Sequence, residues 1–167
     1  MIAMKSLDKN EAAILALLQQ NARLSNLEIA ERLQLDEKTV LKSIEKLESS
    51  KMLLGYQAIV SPNSAGKIRA FVELSVQPQK KTGYDTIAQR IFRYPQVIDH
   101  YLFSGAYDFL VVVEGDSHYE IASFVADKLA TIEQVTSTVT HFVFKCYKLS
   151  GIPLDLSNSA DRLAVMA

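Results

Sequence analysis

The segment from Ser104 to Asp108 carries the groups best suited to bind a small charged molecule. It lies between two apolar stretches and reads Ser104, Gly105, Ala106, Tyr107 and Asp108. Backbone N–H groups around Gly105 and Ala106 could hold a carboxylate, and the Asp108 carboxylate could accept from an ammonium group. The segment is therefore a candidate site for a zwitterion. The alternative is a tight connection in which Gly105 only supplies a positive φ.

Three threonines recur at alternate positions near the end of the chain. Thr136, Thr138 and Thr140 lie in a stretch that predicts a strand, so their side chains share one face of it. Hydroxyl groups on one face can bind a ligand. The alternative is a solvated face in which threonine is used for its preference for strands.

A second group of chemically useful residues lies between positions 38 and 46. Val40, Ile44 and Leu47 repeat at helical spacing, and this pattern turns the other side of the predicted helix outward. The outward residues include Lys38, Thr39, Lys42 and Lys46. Ammonium and hydroxyl groups on a free helix face suit DNA phosphates and base edges. Residues 1–60 hold eight basic and eight acidic side chains, so no strong non-specific attraction to DNA is expected.

The elements around this helix form the outline of a winged helix-turn-helix over residues 1–60. Asp8 is predicted to cap a first helix, Ser25 with Glu28 to open a second through a capping box, and Asp36 to cap the third. A tight turn at residues 34–35 separates the second and third helices, and Leu53 to Val60 is predicted as a short strand. The same outline also fits a three-helix unit with a purely structural role.

The remainder of the chain predicts a second domain of different construction. Residues 61–66 have the composition of a linker. Residues 67–151 then show the order strand, helix, strand twice, which predicts an α+β, ferredoxin-like βαββαβ domain. The first unit is Arg69 to Val76, a helix near Tyr84 to Tyr94, and Val97 to Phe103; the second is Tyr107 to Glu114, a helix from Ser117 through Leu129, and Val135 to Leu149. Residues 152–167 form a tail whose role the sequence does not reveal.

One predicted strand indicates assembly. Phe109, Leu110, Val111, Val112 and Val113 are apolar at both parities, so both faces of this strand favour burial. Two helices in this topology cover only one face of the sheet. We therefore predict a dimer in which a second subunit covers the other face.

Composition and motifs exclude several classes of protein. The 167 residues include a single cysteine, Cys146, which excludes an intramolecular disulfide and a thiolate-rich zinc cluster. His100, His118 and His141 are scattered, and no nucleophile elbow, zinc-binding His-Glu-x-x-His, phosphate loop or dinucleotide fingerprint is present. The longest apolar run has seven residues, Ala12 to Leu18, too short for a membrane span. We expect a cytoplasmic protein that is not an enzyme and has no cofactor or metal.

Ordered sets of residues in both domains resemble the Lrp/AsnC (feast/famine) transcription regulators. The resemblance extends from Leu7 to about Gly151. It is carried by Arg23-Leu24-Ser25-Asn26, Ile29, Ala30, Leu33, Leu35, Thr39, Val40, Ile44, Leu47, Glu48, Gly55-Tyr56 and Ser104-Gly105-Ala106-Tyr107-Asp108.

The resemblance implies a regulator that binds double-stranded DNA and a small effector, usually an amino acid. Its dimers would form through the sheet and assemble further into tetramers or octamers. The DNA-binding residues it implies are Ser25, Asn26, Lys38, Thr39, Lys42 and Lys46. The effector-binding residues it implies are Ser104, Gly105, Ala106, Tyr107 and Asp108, with Thr138 and Thr140 from the last strand.

Three positions depart from the family pattern. Gln34 replaces a glycine in the helix-turn-helix turn, which is tolerable if the backbone there keeps a negative φ. Ser43 replaces an arginine of the recognition helix, which removes a forked donor for phosphate or guanine. Lys51 replaces a glycine after that helix, which in a left-handed cap costs about 1 kcal/mol. We expect weaker DNA binding than the family norm, or binding that depends more on oligomeric avidity.

Two alternative functions stay open from the sequence. Sirohaem decarboxylases resemble the same two-domain architecture, but their basic, histidine-rich pocket is not evident here. The departures at Ser43 and Lys51 also fit a subunit that lacks its own DNA binding and acts only in heteromers with a related regulator.

Overall fold

The fold consists of two compact units joined near residue 58. The computed structural model describes residues 7–61, 66–78 and 83–154. The chain divides into Met1–Ala58 and Ile59–Ala167. Most of the predicted linker, residues 62–65, and the tail from residue 155 onward lie outside the described residues.

Three helices form the N-terminal unit, and each begins at the residue that the sequence predicts as its cap. They are α1 (Lys9–Gln20), α2 (Asn26–Leu33) and α3 (Glu37–Ser49). Asp8 and Ser25 both form complete capping boxes, and the Asp36 side chain accepts from the Thr39 N–H. Their apolar faces meet in one core, at whose centre lie the fully buried side chains Ile14, Ile29, Val40 and Leu47.

The predicted strand over residues 53–60 is wrong, because these residues form no regular element. Leu54, Tyr56 and Val60 are at least half exposed. A strand needs a neighbour to take its backbone hydrogen bonds, and no described segment of this unit pairs with residues 53–60. The described part of the unit is thus a helix-turn-helix without wing strands.

A buried carboxylate ties the first helix to the third. Glu11 is 3% exposed and is the one buried charged residue among those that the structure describes. Its carboxylate accepts from the Asp8 N–H at 3.1 Å and forms an ion pair with Lys46 on α3. Hydrogen bonding to Glu11, with the attraction of its charge, raises the pKa of Lys46. A buried charge is tolerated only when it is paired, so Lys46 has a structural role.

The C-terminal unit is a four-stranded antiparallel sheet with helices on one face. Its first half is β1 (Ile68–Val76), α4 (Gly83–Ile91) and β2 (Val97–Leu102). Its second half is β3 (Phe109–Gly115), α5 (His118–Phe124), a π-helical turn (Val125–Leu129) and β4 (Val135–Phe142). The strand order β2-β3-β1-β4 is that of the predicted ferredoxin-like domain.

The last predicted strand is shorter than expected. It was predicted over Val135 to Leu149, but β4 ends at Phe142. The chain then forms a separate small hairpin, β5 (Lys148–Leu149) and β6 (Ile152–Pro153). Ser150 and Gly151, with φ of 47° and 86°, make the turn between them.

The two faces of the sheet have different environments. Ala70, Val72 and Leu74 on β1 point to the helices and are fully buried. The opposite face, which we call the open face, carries Phe71 beside Val112. Phe71 is half-buried, whereas Val112 is already 3% exposed in one protomer. β3 is therefore buried at both parities at Val112, but within one protomer and without a second subunit.

Two backbone positions in the N-terminal unit are strained. Gln34 ends α2 with φ 56° and Lys51 follows α3 with φ 61°, and both values lie in the left-handed region. The condition under which glutamine would be tolerated at position 34 without strain, a negative φ, is therefore not met, because only three residues connect α2 to α3. Left-handed geometry brings Cβ close to the backbone and is favourable mainly for glycine.

We predict that Gln34→Gly and Lys51→Gly each raise the free energy of unfolding of the N-terminal unit by about 0.5–1 kcal/mol. The gain comes from relief of the left-handed strain, reduced by the extra freedom of glycine in the unfolded chain. Urea unfolding followed by circular dichroism measures it. Glu31→Gly is the matched control, since Glu31 lies inside α2 and glycine there should destabilise by about 1 kcal/mol. Equal losses of unfolding free energy in all three variants would contradict the assignment of backbone strain to Gln34 and Lys51.

Candidate functional site

The helix-turn-helix places Ser25 and Asn26 at the start of α2. The Ser25 hydroxyl accepts from the Glu28 N–H at 3.2 Å and donates to the Glu28 carboxylate at 2.8 Å. The Ser25 N–H also donates to the Glu28 carboxylate, at 2.7 Å, and this bond together with the one from the hydroxyl lowers the pKa of Glu28. Ser25 is thus committed to the cap, while Asn26 is the first residue of α2 and half-buried.

Of the four candidate residues on α3, Lys38 and Lys42 have their ammonium groups free of any described ion pair. Both side chains are exposed. The Thr39 hydroxyl instead donates to the Asp36 carboxylate, and the Thr39 N–H donates to the same carboxylate at 2.9 Å. Together these bonds lower the pKa of Asp36. Thr39 therefore completes the cap of α3, and its hydroxyl proton is not free to donate to a DNA base.

The prediction that Lys46 contacts DNA requires a correction. Its ammonium group lies against Glu11 and within 3.8 Å of the Asp8 carboxylate. A lysine that neutralises a buried glutamate would leave that charge unpaired if it turned to a phosphate. The sequence showed only that Lys46 lies on the side of α3 opposite its buried residues. Its partner Glu11 lies on α1, and such a tertiary contact is not visible in the spacing of residues along α3.

The candidate effector segment, residues 104–108, connects β2 to β3. The Phe103 N–H donates to the Asp108 carbonyl at 2.7 Å, and the Asp108 N–H donates to the Leu74 carbonyl at 2.9 Å. Ser104, Gly105 and Ala106 are exposed between these bonds. The exposed backbone of the segment is thus held at both ends by the sheet.

Asp108 is the side chain that organises this segment. One carboxylate oxygen accepts from the Val76 N–H at 2.8 Å, and the other accepts from the Tyr84 hydroxyl at 3.0 Å. Hydrogen bonding to the negative carboxylate raises the pKa of Tyr84. Asp108 therefore joins the end of β1, the start of α4 and the effector segment.

Tyr84 is the residue of this site that sequence reasoning missed. Its ring also packs edge-on against Phe109, with 5.8 Å between the ring centroids. Tyr84, His100 and Phe109 line a small cleft beside the segment. The His100 ring packs at a tilt against the Phe109 ring, with 4.7 Å between the ring centroids. Burial lowers the pKa of His100. Only the pairing of distant elements brings Tyr84 to Asp108, so no local signal in the sequence marked it.

Gly105 adopts a backbone conformation that L side chains rarely take. Its φ is 159°, although a Cβ added there would meet no atom within 4 Å. The structural alternative, in which glycine is used here for its positive φ, therefore stays open beside the ligand-binding interpretation.

Thr138 and Thr140 are separated from the effector segment within one protomer. They pair with Leu74 and Val72 of β1, so they lie on the helix-covered face and are half-buried. β1 lies between β3 and β4 in the sheet, which puts β4 about 10 Å from β3. Thr136, at the register shift, donates its hydroxyl proton to the Ser75 carbonyl at 3.0 Å. The threonines and the segment thus form two separate groups.

Two other kinds of feature, a metal site and a membrane-spanning helix, are absent from the described residues. Within residues 7–61, 66–78 and 83–154, no three His, Cys, Asp or Glu side chains lie close enough together to hold a metal ion. No helix in the same ranges is both long enough and apolar enough to cross a membrane.

Comparison with known proteins assigns a family to each of the two units. Residues 69–153 match the family described as the Lrp/AsnC ligand binding domain, and residues 7–52 match a winged helix-turn-helix DNA-binding family. The helix-turn-helix transcriptional regulator YugG of Bacillus subtilis, itself uncharacterised, is 35% identical over 162 residues, which cover 95% of this chain and 98% of that protein. The leucine-responsive regulatory protein of Rhizobium meliloti is 27% identical, covering 89% and 96% of the two chains.

A solved structure agrees with this assignment. A transcriptional regulator of Neisseria meningitidis, in complex with L-methionine, superposes with a TM-score of 0.73 at 29% identity, covering 90% of this chain and 98% of that one. The matched families and these relatives are regulators and not sirohaem decarboxylases. The chain therefore belongs to the Lrp/AsnC family and is a DNA-binding transcriptional regulator with a ligand-binding domain, not an enzyme.

Proposed function

We propose that this regulator binds double-stranded DNA through the outer face of α3 and that an amino acid bound at residues 104–108 alters its assembly. The observation that carries the proposal is the position of Asp108, whose carboxylate fixes an exposed backbone segment at the end of the sheet. A ligand bound there would act by favouring those assemblies that bind it more tightly.

The chemistry of the segment fits a zwitterion. Gly105 and Ala106 offer exposed backbone for a carboxylate. The Asp108 carboxylate already accepts two hydrogen bonds, and a carboxylate can accept about four, so it can also receive an ammonium group. One relative is named as leucine-responsive and another was crystallised with L-methionine, which supports an amino acid as the ligand class.

The open face of the sheet supports a dimer as the unit of assembly. Phe71, Leu110 and Val112 form its apolar centre on the two middle strands. Polar contacts border this centre: Arg69 forms an ion pair with Glu114, and the His141 ring lies 3.2 Å from the Glu73 carboxylate. A second copy of the same face would cover the apolar centre, and further association to a tetramer or octamer would bring effector segments of different dimers together.

The electrostatics of the DNA-binding unit support moderate affinity. Its eight basic and eight acidic residues cancel, so attraction to phosphate depends on where individual lysines lie. Lys38 and Lys42 are the α3 lysines that remain after Lys46 is assigned to Glu11. Several copies in one oligomer would multiply these few contacts.

We predict that Lys42→Ala weakens binding to all DNA sequences and lowers the slope of log affinity against log salt by about one. The reason is the loss of one phosphate contact. Fluorescence anisotropy with a duplex from the region upstream of its own coding sequence measures this at several salt concentrations. Lys128→Ala, an exposed lysine of the C-terminal unit, is the control and should leave the slope unchanged.

An unchanged slope in Lys42→Ala would show that Lys42 contacts no phosphate. A wild type that binds no DNA at low salt would favour the alternative in which this chain acts only in heteromers.

We predict that Asp108→Asn abolishes the response to the amino acid and leaves the dimer intact. The substitution keeps the size of the side chain and removes the charge that would pair with an ammonium group. Thermal unfolding with each of the twenty L-amino acids identifies those that raise the melting temperature of the wild type, and sedimentation measures assembly. Tyr84→Phe is the control, since it removes a partner of Asp108 but no proposed ligand contact.

The wild-type shift should persist in Tyr84→Phe and disappear in Asp108→Asn. A shift of wild-type size in Asp108→Asn would move the pocket elsewhere, and the absence of any shift in the wild type would contradict an amino acid as ligand.

A further inference from the structure

The outer face of α3 combines charged side chains with one leucine. At 3.6 residues per turn, Lys38, Leu41, Lys42 and Glu45 lie within an arc of about 100°, away from the buried Val40, Ile44 and Leu47. Leu41 is 44% exposed and is not part of the apolar core of its unit. An apolar side chain therefore lies at one edge of the charged face of the helix that is expected to enter the groove.

Two other polar side chains of α3, Thr39 near its start and Lys46 in its last turn, are committed elsewhere. The Thr39 hydroxyl donates to Asp36, and Lys46 pairs with the buried Glu11. Ser43 is half-buried. Reading of base edges by α3 thus depends on the residues of the outer face, and the N-terminal part of a recognition helix supplies such contacts. Leu41 is the fifth residue of α3.

The chemistry of the major groove assigns a partner to Leu41. Adenine, guanine and cytosine present hydrogen-bonding atoms there, whereas thymine also presents its C5 methyl group. A leucine placed against a polar base edge removes water without replacing its hydrogen bonds, but against a methyl group it buries apolar surface. Leu41 therefore favours thymine over the other three bases.

We propose that Leu41 is a specificity-determining residue that reads the C5 methyl group of a thymine in the operator. The inference rests on the proposed use of α3 in DNA binding. Lys38 and Lys42 hold the helix by their ammonium groups on either side of Leu41 in the sequence, and Glu45 disfavours close approach of phosphate one turn further on.

Replacement of thymine by uracil tests the proposal, because the two bases differ only in this methyl group. Duplexes bound by the wild-type protein are selected from a randomised pool, and each thymine of the selected site is then replaced in turn. Loss of one buried methyl contact should weaken wild-type binding about fourfold at the position that Leu41 reads. In Leu41→Ala the same replacement should have no effect, because the partner of the methyl group is already gone.

Two further variants make the test decisive. Leu41→Gln, which keeps a helix-compatible side chain of similar length, should also lose the uracil effect if Leu41→Ala is poorly folded. Leu27→Ala is the matched control, since Leu27 is an exposed leucine on α2 and its loss should leave the uracil effect in place.

The proposal is overturned if no thymine shows an effect that depends on Leu41, or if the effect depends on Leu27 instead. A wild type that selects no sequence from the pool would overturn the use of α3 for DNA reading as well, and that result is distinct from normal selection without a uracil effect.

Discussion

The C-terminal sheet imposes the constraint on which the rest of the molecule depends, because its described helices pack on one face and its other face has an apolar centre between charged side chains. β1 pairs along its length with β3 and β4, and its inward residues Val72 and Leu74 are fully buried beneath the helices. On the other side Phe71 is half-buried beside Val112, and none of the described helices belongs to a core with these two residues. A second copy would cover the part of this face that is still accessible, and this is why we propose assembly through it.

The same sheet positions the candidate effector segment, so the residue proposed to bind the ligand, Asp108, also makes contacts that hold the fold together. Asp108 accepts one hydrogen bond from β1 and one from α4 while it holds the exposed backbone of residues 104–106. A ligand that donated further hydrogen bonds to this carboxylate would act directly on the end of β1, because the same carboxylate accepts from the Val76 N–H. In the N-terminal unit, by contrast, Glu11 and Lys46 hold α1 against α3, and the face that we propose reads DNA is what these structural contacts leave free.

The sequence predicts those parts of the structure that depend on local chemistry. Asp8, Ser25 and Asp36 begin their helices because a side-chain oxygen meets a backbone N–H only a few residues away. The roles of Lys46 and Tyr84 could not be predicted, because their partners Glu11 and Asp108 are distant in the chain. The strand predicted at residues 53–60 failed for a related reason, since apolar residues form a strand only where a partner strand exists.

Sedimentation equilibrium of the full chain tests the central claim, that a second copy covers the open face. The comparison is between the wild type, Phe71→Arg on the open face, and Phe92→Arg, an exposed phenylalanine just after α4. The account predicts a dimer or larger assembly for the wild type and for Phe92→Arg, and a folded monomer or a much weaker dimer for Phe71→Arg. A wild type that is monomeric at micromolar concentration, or a Phe71→Arg protein that assembles like the wild type, would contradict it.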